Sequence, residues 1–179
     1  MNKEDKELLI KDLCARLPYG VKGKCEIDAS YDTSFDTKLQ THTFNAIVYG
    51  IKEDSLLVTP LIENQDELEF ANEEIADGVD ILDFKPYLFP LSSMTEKQLY
   101  ELKEATDFKY NHNTLELVEW TETHRTLEFW LEEVPQYKVI EIFDWLNKNH
   151  FDYRCLIEKG LAIDATGKNI YMDLPDTYE

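Results

Sequence analysis

The chain has 179 residues, 43% hydrophobic and 12% aromatic, enough to build a core and to exclude wholesale disorder. Lys and Arg number 18 against 37 Asp and Glu, a formal net charge of −19. Such a surface repels a phosphate backbone, and only Arg16, Arg125 and Arg154 supply guanidinium groups, so direct nucleic-acid binding is disfavoured.

Taken in chain order, the first element is a helix from about Lys3 to Arg16, with Leu9, Leu13 and Leu17 beside Ile10 and Cys14 forming one apolar stripe. Leu17-Pro18-Tyr19-Gly20 ends it. From Gly20 to about Phe84 the pattern is β. Strands are expected at Val21 with Cys25 to Ile27, at Phe44 to Tyr49 and at Ser55 to Thr59, with Gly50 to Asp54 as a hairpin connection. Asp77-Gly78 is a turn dipeptide before a fourth strand, Val79 to Phe84. Short strands at this density predict a small, strongly bent antiparallel sheet or a barrel-like region. The acidic stretch Glu63 to Asp77 is a helix or a solvated loop.

Pro86 and Pro90 lack amide donors, so Lys85 to Pro90 is expected to be an extended linker and not a central strand. Thr95-Glu96-Lys97-Gln98 is a capping box, which starts a helix over Glu96 to Ala105 with Leu99 and Leu102 inward. Thr114 to Leu117 and Thr126 to Glu132 alternate with period two and predict a hairpin, although Glu and Leu also suit a helix. A third helix covers Tyr137 to Asn149, with Val139, Ile142, Phe143 and Leu146 on one face. Asp152 then caps a short helix, Tyr153 to Glu158, which Gly160 ends. The Asp164-Ala165-Thr166-Gly167 turn follows a brief extended piece at Leu161 to Ile163. The fold class is α+β, divided as an N-terminal helix plus β-rich region over 1–94 and a helical or α+β region over 95–179, with a core shared between the two left open by the sequence.

The chemistry-bearing motifs are sparse. Cys14, Cys25 and Cys155 form no CxxC, as suits a reducing cytoplasm, and no apolar run reaches the roughly 18 residues a membrane span needs. His42, His112, His124 and His150 lie far apart, so no metal or cofactor is expected. Asp28, Asp32 and Asp36 lack the register of a calcium loop and read as a solvated polar loop. Phosphate-binding glycine loops and a GxSxG elbow are absent. The densest reactive cluster is His150, Asp152, Arg154 and Cys155, the weak candidates for a catalytic site. The alternative reading puts His150 at a helix end, Asp152 as a cap, Arg154 in an ion pair and Cys155 inside. Tyr87, Phe89 and Trp130, with Trp120 and Trp145, are candidate aromatic anchors for a protein partner if exposed, and core residues otherwise.

Two blocks, Phe143 to Arg154 continuing through Leu156 to Ile163, and Asp83 to Thr95, resemble a family of proteins of unknown function from gut Bacteroidales and their phages and mobile elements. The resemblance covers under a quarter of the chain. It implies a cytoplasmic host or phage context and carries no activity, cofactor or catalytic residue. It also implies Gly where this chain has Cys155, which weakens Cys155 as a nucleophile. The leading expectation is a small acidic cytoplasmic accessory protein that acts by protein–protein binding. The alternatives are a DNA-mimicking decoy for a basic nucleic-acid-binding protein, with carboxylates from Glu63 to Asp77, and an enzyme whose site assembles around His150 and Asp152.

Overall fold

The computed structural model describes residues 3–33, 36–53, 55–105 and 136–168, and these form a mixed α+β fold. Four α-helices occur among them: α1 (Lys3–Arg16), α2 (Gln65–Glu74), α3 (Glu96–Ala105) and α4 (Gln136–Lys148). The strands are β1 (Val21–Thr33), β2 (Asp36–Lys52), β3 (Ser55–Pro60), β4 (Val79–Asp80), β5 (Phe84–Pro90), β6 (Phe151–Asp152) and β7 (Ile163–Asp164). They follow the order β4-β3-β2-β1-β5-β6 with β7 also on β5, so the sheet is open and not closed into a barrel. No helix among the described residues is long and apolar enough to cross a membrane. The expected hairpin at 114–132, together with Trp120 and Trp130, lies outside the described residues.

Contacts divide the chain into two compact units, one ending at Tyr87 and the other beginning at Leu88. In the first, α1 buries Leu9, Asp12, Leu13 and Arg16, the i, i+3, i+4, i+7 face of a helix. The apolar stripe read from the sequence is therefore rotated, because Cys14 is exposed and a charged pair takes its place. Arg16 Nε donates to Asp12 Oδ2 at 2.7 Å and Nη2 to Oδ1 at 3.0 Å, with both side chains fully buried. That bidentate geometry is what allows two charges to leave water together.

The strands run further than local propensity indicates. β1 and β2 pair antiparallel from Val21↔Val48 to Thr33↔Asp36, so the stretch expected as a polar loop around Asp28 and Asp32 has strand backbone. Cross-strand hydrogen bonding overrides the low β-propensity of Asp, which single-strand reading cannot weigh. Gly50 to Lys52, expected in the connection, also belong to β2 and pair with Leu57, Leu56 and Ser55 across a register shift after Val48. The acidic stretch is helical, with Asn64 accepting from the amides of Asp66 and Glu67 as the cap of α2. The fourth strand shortens to β4, because a 3-10 turn at Ile81–Asp83, capped by Asp80, interrupts it.

Lys85 to Pro90 is not a linker but most of β5. Gly23, Lys24 and Cys25 of β1 pair with Pro86, Lys85 and Phe84. The prolines are tolerated because each stands at the end of a ladder, Pro86 on the β1 side and Pro90 on the β6 side. Gly23 makes the approach possible: a β-carbon there would lie 2.3 Å from the Phe84 ring and 2.5 Å from the Lys85 carbonyl oxygen.

The second unit packs α3 and α4 over Leu91, Leu102, Ile142, Trp145, Leu146 and Phe151. α3 begins with the expected capping box: the Gln98 amide donates to Thr95 Oγ1 at 3.3 Å, and the Thr95 amide donates to Gln98 Oε1 at 2.9 Å. Phe151 stacks on Trp145, ring centroids 5.7 Å apart. Burying such rings is worth roughly 2–3 kcal/mol each. The end of β5 runs parallel to β6, and the Ala165 amide donates to the Leu88 carbonyl.

Candidate functional site

The cluster at 149–157 is built by the end of α4. The His150 amide donates to the Asn147 carbonyl, and His150 itself has φ of 57°, the left-handed position that reverses a chain after a helix. Its carbonyl accepts from the Phe89 amide at 2.9 Å, and the residue is 4% exposed. Asp152 is nearly as buried. Its Oδ1 accepts from the amides of Arg154 and Leu156, and its Oδ2 from the amide of Ile157 at 2.8 Å. The expected capping role holds, but the segment it caps is a turn and not the short helix from Tyr153 to Glu158. Cys155 explains why: its φ of 57° breaks the helical backbone in the first turn, at a position glycine occupies without strain.

The Arg154 side chain lies along Tyr153. Its guanidinium lies 4.9 Å from the centroid of the Tyr153 ring, and Nη2 donates to the Tyr153 hydroxyl at 3.0 Å. That hydroxyl donates to Asn147 Oδ1 at 2.9 Å. His150, Asp152 and Arg154 are thus neighbours in a closed helix-to-strand junction whose side-chain and backbone groups hold the junction together.

The aromatic candidates separate as well. Tyr87 is half-buried, donates to Asn45 Oδ1 at 2.8 Å, and has its pKa raised by desolvation. Phe89 is half-buried against the core of the second unit, 6.2 Å from the Phe151 ring. Trp145 is a core residue. The exposed aromatics of the described residues are Tyr49 and Tyr100, which the sequence did not single out.

Two features of the first unit emerge only from strand pairing. The first is the far half of the β1–β2 ribbon. β5 flanks β1 only at Gly23 to Cys25, and β3 flanks β2 only from Ala46 onward. Among the described residues, Glu26 to Thr33 and Asp36 to Phe44 therefore have no second neighbouring strand. The second feature is a cleft of about 170 Å³ lined by Lys24, Glu26, Leu82, Asp83 and Lys85. Beneath it Cys25 is fully buried; burial, and then the charge of Asp83, push its thiol up to about 12.

The chain matches no family model, no curated protein and no solved structure.

Proposed function

We propose that this protein is a cytoplasmic accessory factor, of the kind phages and mobile elements encode, that acts by binding another protein through strand addition to the β1–β2 ribbon. The supporting observation is the ribbon. Eight residues of β1, about 27 Å of strand, continue past β5 with β2 the one strand beside them among the described residues. A two-stranded ribbon is marginally stable in water, and its outer edges present rows of amide and carbonyl groups that an extended segment can pair with. The −19 charge steers association toward a basic partner. The junction at His150 and Asp152, where the carboxylate is taken up by three amides, suits a structural role better than proton transfer.

The test replaces residues 28–41 by Asn-Gly, so that the paired Ile27 and His42 flank a two-residue hairpin turn. The full-length chain and the shortened chain are each used to capture protein from a lysate of the native host, with crosslinks mapped by mass spectrometry. The expected result is a protein crosslinked to 26–44 of the full-length chain and lost from the shortened one, while both chains melt within a few degrees. Equal capture by the two chains overturns the proposal.

A further inference from the structure

The cleft between β1 and β5 has a charge order that selects a ligand. Lys24 and Lys85 are register partners, directly opposite across the two strands. Glu26 is two residues along β1 from Lys24, and Asp83, which ends the 3-10 turn outside the β1–β5 ladder, stands two residues before Lys85; both carboxylates line the cleft beside the lysine rung. Cys25 and Phe84, between them in the chain, are fully buried on the opposite side. No ion pair joins Lys24, Glu26 or Lys85 to another described residue. Like charges directly opposite in a sheet repel, so the lysine rung costs stability unless something negative covers it. A lone anion there would meet the carboxylates of Glu26 and Asp83. A lone cation would meet the lysines.

The complementary ligand carries both signs at the spacing of the lysines and carboxylates. Positions two apart on a strand are about 6.6–6.8 Å apart, on the ligand as on β1. We infer that this cleft binds an extended peptide segment carrying an acidic and a basic side chain two residues apart, the acid over Lys24 and Lys85 and the base over Glu26 and Asp83. Leu82, 41% exposed, gives the aliphatic stems a surface to lie on. The inference rests on the protein-binding reading above and names the chemistry of one segment of the partner.

The probe is a fluorescently labelled, end-blocked peptide T-E-T-K-T, titrated with the full-length chain at about 0.15 M salt, where the diffuse field of the protein is screened beyond roughly 8 Å. Saturable binding is expected, with T-E-T-T-K, T-E-T-E-T and T-K-T-K-T each at least about tenfold weaker. Lys85→Glu, at an exposed position, weakens T-E-T-K-T by at least about tenfold and brings T-K-T-K-T to the stronger binding. Failure of T-E-T-K-T to saturate, equal binding of T-E-T-T-K, or indifference to Lys85→Glu overturns the inference. The ribbon-shortened chain keeps all the cleft residues and binds the peptide as the full-length chain does. A failed cleft and a failed ribbon are therefore separate results.

Discussion

At the scale of single residues, burial of a thiol makes the fold sensitive to alkali. Cys25 has an ordinary pKa of 9.0 in the unfolded chain and about 12 in the fold. The folded chain thus holds a proton that the unfolded chain loses first. Stability from this group is whole below pH 9 and drains away as pH rises toward 12, at up to about 1.4 kcal/mol per unit. Tyr87, also shifted upward, acts in the same direction. Urea unfolding between pH 9 and 11 should show a steeper loss for the native chain than for Cys25→Ala. Parallel curves for the two would contradict the assigned burial of the thiol.

At the scale of elements, α1 carries the sharpest energetic claim. Asp12 and Arg16 neutralise each other out of water, so removing one leaves a buried charge. Asp12→Ala or Arg16→Met should each cost about 3–5 kcal/mol in urea unfolding, whereas Asp12→Leu with Arg16→Met should cost less than either single change. Two equal and additive single losses would mean the groups are not coupled. α1 and α3 were legible in the sequence because their signals are local: the Thr95–Gln98 box, the Leu9 and Leu13 spacing, and Pro18 after α1 all act within a few residues. The acidic stretch of α2, by contrast, reads as helix or loop from the sequence, and the helix expected over Tyr153 to Glu158 is a turn. β1, β2 and β3 were legible in position but not in extent. Asp28 to Thr33 pair with residues as near as Asp36 and as far as Thr41, and only that pairing makes them strand. β5 was missed because its prolines argue against a strand unless the ladder ends are known. The cleft was hidden for a related reason, since Lys24 and Lys85 are far apart in the chain. The alternation of Lys24 and Glu26 against Gly23 and Cys25 was the signal that an outward charged face existed.

At the scale of the whole molecule, charge dominates. A net −19 repels itself in the compact state more than in the expanded one. Raising NaCl from about 0.01 to 0.5 M shortens the screening length from roughly 30 Å to a few Å and should raise Tm by about 2–4 °C, the shift expected for roughly 1 kcal/mol at this chain length. A Tm that falls with salt would indicate that attractive surface pairs outweigh the repulsion. On the function proposed above, the same field would speed association at the ribbon at low salt, while the peptide selection proposed for the cleft would depend on contacts too short to screen.

The crossing of β1 and β5 has a consequence for how this sequence can change over time. Gly23 lies against the Lys85 carbonyl so closely that any β-carbon would push the strands apart. A side chain elsewhere can retreat into another rotamer; a backbone oxygen cannot. Position 23 is therefore closed to drift, and because Lys24 meets Lys85 only while the strands touch, descendants of this chain inherit the cleft and the glycine together or lose both.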